Sequence, residues 1–240
     1  MGILGDTLAL PALREVYKSV LRAGGNPVPM ISDEQMARTF LRNANEGQMA
    51  WLDPAQTTYY EQADVYIRVG SSNNTRAMTG IPATRVQQRR AAEHHWLNTR
   101  LERSGNGDFR WVGTWYPCEA SAQEAKMSLE EYEDFVYGAT FCNLEDPVAE
   151  WKKLSAMQQE KVDWLKGKKQ VKVTGPNVDI TLSIDGRTFV NSDGKANMPS
   201  GEIFTGPVEE SVNGWARFGY PMIVGGRAVS AWKCALKTVK

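Results

Sequence analysis

The residue types that most often carry catalysis are thinly spread in this chain. Its only two histidines, His94 and His95, are adjacent in the segment EHHWL. Neighbouring residues of a helix point about 100° apart, so this pair does not converge on a metal as histidines at i and i+4 do. A solvated helix surface is the reading that spacing supports, and it disfavours a histidine triad or zinc site built on this segment. Cys118, Cys142 and Cys234 stand apart with no CxxC spacing. That speaks against a disulfide framework and a cysteine zinc site, and all three are expected as buried small hydrophobes. No GxGxxG follows a strand and no GxxxxGK[ST] occurs, so dinucleotide and P-loop readings lose their usual support. Lys166, Lys168, Lys169 and Lys172 make a small basic cluster, but without interleaved aromatics it reads as a solvated face and not as a nucleic-acid platform.

One stretch differs. From Asn191 to Glu210, NSDGKANMPSGEIFTGPVEE, glycines, prolines and carboxylates surround a single short apolar pair, Ile203-Phe204. Such a composition suits loops in which backbone approaches a ligand closely, and it equally suits ordinary turns. Glu202 follows Gly201 and precedes IFT, so a short strand could hold its carboxylate for a divalent ion. Asp193 in NSDG is expected to form an Asx-type turn before Gly194, and Asp179 to start a strand on its solvent side. Neither is assigned to a site.

The elements that must position these groups follow from period and punctuation. Pro11 to Ala23 reads as an amphipathic helix with Leu13, Val16, Val20 and Leu21 near one face, stopped by Gly24-Gly25. Val28 to Ile31 reads as a short strand, Asp33 as the N-cap of a helix to about Asn43, and Ala63 to Val69 as a strand. A long surface helix from Ala83 to Arg103 precedes a strand from Phe109 to Tyr116. Ser128 opens SLEE, a capping box, for a helix with Leu129, Tyr132, Phe135 and Val136 turned inward. A further helix begins at Pro147, carries Val148, Trp151, Leu154, Val162 and Leu165, and stops at Gly167.

Past Gly167 the pattern changes to short alternating runs. Ile184-Asp185-Gly186-Arg187 is expected to join DITLSI and RTFV as a two-residue hairpin. The fold class is therefore α/β: a layered α/β domain over residues 1–166, then a β-rich (α+β) domain over 167–240.

Lys plus Arg and Asp plus Glu both number 28, so no global field favours nucleic acid or an anionic membrane. No run approaches the roughly 20 apolar residues of a membrane span, and MGILGDTLAL lacks the basic lead-in of a signal peptide. The cytoplasm is the expected location.

Four segments together resemble the thermophilic metallo-aminopeptidases, peptidase family M29. They are YP-CEASAQEAKMSLEEYEDFVYGA, DPVAEWKKLSAMQQEKVDWLKGKK, GPNVDITLSIDGRTFVNSDGKANMPSGEIFTGPVEESVNG and ARFGYP. The resemblance implies a two-metal hydrolase using zinc, cobalt or magnesium, acting on peptides with a free N-terminus, and a homodimer. The glutamate of the GEIFT-like motif, here Glu202, would be one metal ligand. The resemblance places the other ligands and the catalytic groups beyond Lys240, so no catalytic residue is assigned and the chain itself is expected to be inactive, with no metal held by it alone. It also implies a preceding helix and strand that MGILGDTLAL is not expected to supply, making this a piece incomplete at both ends; if that strand belongs at the centre of the first sheet, exposed edges remain. The alternative is an interaction protein that keeps the scaffold without the chemistry, using Trp96, Trp111 or Trp115 as contacts.

Overall fold

A computed structural model describes residues 1–224, 227–229 and 233–236. The last residues of the expected β-rich domain, 237–240, lie outside the described residues. The chain separates into two compact units, residues 1–140 with 195–199, and residues 141–194 with 200–240.

In the first unit, β1 (Gly2–Asp6), β2 (Val28–Ser32), β3 (Val65–Gly70), β4 (Arg110–Trp115) and β8 (Asn197–Met198) form a parallel sheet in the order β2-β1-β3-β4-β8. MGILGDTLAL thus does supply a strand, and a central one. The small and apolar run Gly2-Ile3-Leu4-Gly5 suits a position flanked by strands on both sides. At Gly5 an added Cβ would meet Val69 O at 2.6 Å and Leu13 at 2.7 Å, so only glycine allows α1 (Leu10–Arg22) to lie this close. Ile3, Leu13, Val20 and Val69 bury together under that helix, whereas Leu21 turns to solvent at 53% exposure.

The Asp33 cap is present, its carboxylate accepting from Met36 N at 2.8 Å at the start of α2 (Glu34–Asn43). Two short helices unmarked in the sequence reading follow, α3 (Glu46–Ala50) and α4 (Pro54–Gln62). Both have side-chain caps, from Asn45 and Asp53. The long helix α5 (Ala83–Gly105) then closes three earlier helix ends with arginines. Arg85 donates to Leu41 O and Ala44 O at the end of α2, Arg89 to Met49 O and Trp51 O at the end of α3, and Arg103 to Tyr60 O and Ala63 O at the end of α4. The last carbonyls of a helix lack intrahelical donors and carry partial negative charge, so a guanidinium fork answers both deficits. α6 (Glu119–Ala125) and α7 (Leu129–Ala139) complete the unit. The Ser128 capping box forms as expected, but of the four residues of α7 expected to turn inward Val136 is buried while Phe135 is 60% exposed.

The second unit begins with α8 (Pro147–Leu165), capped by Asp146. Residue 166, near which the sequence reading sets its boundary, caps α8 ahead of the first strand of this unit. β5 (Gln170–Gly175) and β6 (Val178–Ser183) form a hairpin through Pro176-Asn177, and β10 (Asn213–Arg217) and β13 (Lys233–Leu236) extend it to the antiparallel order β13-β10-β6-β5. The expected Asp185-Gly186 hairpin is not there. A turn does form, with Arg187 N donating to Ile184 O and Gly186 at φ 70°, but the strand after it, β7 (Val190–Ser192), pairs with β9 (Glu202–Phe204) and not with β6. β11 (Met222–Val224) and β12 (Arg227–Val229) make a separate ribbon. The mixed α/β class, helix-rich first and strand-rich later, is what the sequence led us to expect. Among the described residues no helix is long and apolar enough to cross a membrane.

Candidate functional site

Glu202 opens β9, opposite Ser192 of β7. Gly201, at φ 112°, turns the chain into this strand beside α8, where an added Cβ would touch Leu154 at 3.5 Å. The backbone is then fastened from the helix side. Gln158, buried in α8, directs its Nε2 at Asn191 Oδ1 (2.6 Å), Ser192 O (3.1 Å) and Glu202 O (3.3 Å). Asn191 returns a bond from Nδ2 to Ser155 O at 2.9 Å. The ribbon edge is thereby tied to α8 through amides, while the Glu202 side chain itself stands exposed and meets no donor among the described residues. A rigid main chain with a free carboxylate is what a strand-borne ligand needs, and it is also compatible with a plain surface residue.

The sequence reading did not single out Gln158. The signal was available: Trp151, Leu154, Gln158 and Val162 lie at helical spacing, so a polar residue sits within an apolar stripe, where it must find partners.

Asp193 accepts from Ser155 Oγ at 2.8 Å, which fastens the loop before Gly194 to α8. Asp179 lies in β6, register-paired with Thr174 and Trp215, with its side chain exposed. His94 and His95 are exposed on α5, as expected. Of the cysteines only Cys118 is buried; Cys142 is exposed and Cys234 half-buried, because these two fall on a turn and a peripheral strand instead of a core face. The lysine cluster is largely answered locally, by Asp163 for Lys166, Asp185 for Lys169 and the Trp164 ring for Lys168. Among the described residues no group of three or more His, Cys, Asp and Glu side chains could hold a metal ion. The donors present thus do not fit a metal centre by themselves.

The tryptophans considered as contact residues are mostly committed to packing. Trp96 is buried, donating to Thr57 Oγ1 at 2.9 Å and stacking on Tyr60. Trp111 is half-buried beneath Arg100, and Trp115 is 40% exposed.

Comparison with known proteins bears on the whole arrangement. Aminopeptidase T of Thermus thermophilus is 24% identical over 243 residues, covering 92% of this chain and 59% of the relative. Aminopeptidase T of Thermus aquaticus is 24% identical over 221 residues, covering 83% of this chain and 54% of the relative. The solved structure of wild-type AmpT from Thermus thermophilus shares the fold with a TM-score of 0.77 at 21% identity, over 99% of this chain and 64% of that one. The chain therefore spans somewhat over half the length of the curated relatives it matches. The profile of the thermophilic metalloprotease (M29) family matches residues 2–238, the β1 strand and the Glu202 ribbon included, and with nearly the whole sequence inside that match the chain belongs to the M29 family.

Proposed function

We propose that this chain is part of a metal-dependent aminopeptidase that releases N-terminal amino acids from peptides, and that these 240 residues alone do not turn over substrate. The family match over residues 2–238 carries the reading. Residues 1–166 serve as its α/β domain and 167–240 as the start of its metal-binding domain. Glu202 contributes one carboxylate to a centre for zinc, cobalt or magnesium whose remaining ligands come from outside the described residues. Support comes from the amide-fastened backbone of β9 and the uncommitted side chain it presents. No catalytic step is assigned to a residue of this chain. The working protein is a cytoplasmic homodimer acting on peptides with a free N-terminus. Burial of Trp96 between helices removes much of the motive for the interaction-protein reading.

The test is hydrolysis of a panel of amino-acid anilides by the folded chain with zinc, cobalt or magnesium, Glu202→Ala beside it. Absence of release from either protein is the expected result. Release that vanishes in Glu202→Ala would overturn the inactivity while keeping Glu202 as a ligand, and release that persists in the variant would overturn its role.

A further inference from the structure

The first unit carries a groove that the aminopeptidase reading does not use. Along β3 the side chains alternate: Ile67 and Val69 pack toward α1, while Tyr66, Arg68 and Gly70 face the other way. On that second face lies a cavity of about 850 Å³, bounded by Leu4, Met30, Tyr66, Arg68 and Trp115 of the sheet and by one side of α5. A smaller one of about 430 Å³ adjoins it, and Tyr66, Arg68, Arg100 and Trp115 border both. The place is notable topologically. The chain leaves β1 for β2 on one flank and then crosses to β3 on the other, so the cavity reaches the carboxyl ends of β1 and β3, at Asp6 and Ser71, where the strand order reverses and where open parallel sheets take their ligands.

In this groove the arginines are left without acceptors among the described residues. Its three carboxylates are occupied. Asp6 accepts from Leu8 N, from Ser71 N at 2.7 Å and from the Ser71 hydroxyl; Asp53 accepts from Ala55 N; Glu93 accepts from Arg89. Arg68, Arg90 and Arg100 have no carboxylate or other hydrogen-bond acceptor among the described residues. Arg68 is exposed on a central strand. Arg100 is half-buried, its guanidinium 5.0 Å from the Trp111 ring centre and its Nε shut from water with no acceptor. A buried donor without a partner is destabilising, and an arriving acceptor removes that cost. Burial, with Tyr60 beside it and hydrogen-bonded to it, pushes the Tyr66 hydroxyl well above the ordinary phenol range, and Arg68 and Arg100 both pull it back, so both guanidiniums lie near that one buried hydroxyl.

We propose that this groove binds a small molecule bearing a carboxylate or a phosphate, received by Arg68 and Arg100, its apolar body lying against Trp115 and Met30. Planar guanidiniums match either oxyanion with paired N–H donors, and the neighbouring aromatic faces favour a ligand with a flat or apolar portion.

Calorimetric titration of the metal-free chain tests this, with an N-acetylated tripeptide ending in phenylalanine as free acid and as amide, and with phenyl phosphate and inorganic phosphate. Binding of the free acid at least about tenfold tighter than the amide identifies a carboxylate ligand; binding of phenyl phosphate in preference to the tripeptide identifies a phosphate ligand. In either case Arg68→Gln, an exposed position that leaves the fold intact, weakens binding about tenfold or more, and Arg100→Lys weakens it by keeping the charge without the fork. No saturable binding of any probe, or binding indifferent to Arg68→Gln, would overturn the proposal. Because no metal or hydrolysis enters the readout, its failure is separable from failure of the aminopeptidase reading.

Discussion

The indole of Trp115 lies across Gly70, its register partner on the neighbouring strand, so closely that a Cβ built on Gly70 would stand 2.9 Å from the ring. The absent side chain leaves room for a groove wall, and Trp115 Nε1 holds the ring there by donating to Ser121 Oγ at 3.0 Å. Gly70→Ala is expected to displace the indole instead of breaking the strand, since the ring has solvent on one side. The expected cost is about 1–2 kcal/mol. Urea unfolding and a shift in tryptophan emission check it; an unchanged emission spectrum would contradict the contact.

Arg89 fastens the end of α3 to α5, donating to Trp51 O at 2.6 Å while its guanidinium lies over Phe40 and Trp96. Arg89→Met keeps much of the stem and abolishes the donors. A loss of about 2–3 kcal/mol is expected, because charge-assisted bonds to half-buried carbonyls are removed. Arg89→Lys should recover only part of it, since an ammonium cannot reproduce the fork that reaches two carbonyls and Glu93. Denaturant midpoints of the three proteins give the ranking.

Gln158 and Glu202 should behave oppositely. Gln158→Ala strips donors from Asn191, Ser192 and Glu202 at once and leaves acceptors buried, for an expected loss of about 2–3 kcal/mol. Glu202→Ala removes an exposed side chain without a partner among the described residues, so stability should move by less than about 0.5 kcal/mol. A thermal shift on Glu202→Ala as large as that on Gln158→Ala would mean that this carboxylate is structural.

Hydrogen bonds from Ser128 backbone and side chain hold the Glu131 carboxyl below its ordinary value of 4.5. A carboxyl depressed in the folded chain stabilises it above the unfolded value, and that contribution fades as pH falls through the folded value. Stability should therefore drop on acidification below about pH 4.5. Ser128→Ala is expected to lower stability by about 1 kcal/mol at neutral pH and to flatten part of the acid limb. Melting temperatures of both proteins, followed down through the carboxylate range, separate this from a cap that contributes nothing.

Local grammar carried the helices far. Asp33, Ser128 and Pro147 each marked a start that the structure keeps, because a cap satisfies amides within three residues and so needs no distant partner. The same grammar erred wherever the partner lay elsewhere. Asp185-Gly186 does turn the chain, yet β7 goes to β9, and no property of the turn specifies which strand its exit will meet. MGILGDTLAL was not expected to supply a strand, and Gly2 and Gly5 gain their meaning only from the side chains of Tyr59 and Leu13 that fill their space.

By itself, then, the sequence determined the α/β class, the capped helices, the family resemblance and the identity of Glu202 as the carboxylate to watch. Tertiary structure alone decided that Gln158 anchors the ribbon behind Glu202, that three arginines of α5 close three other helices, and that Arg68 and Arg100 share one groove. The reason is physical: caps and amphipathic periods are satisfied within a few residues, whereas these bonds and juxtapositions join positions more than thirty residues apart and exist only once the chain has packed.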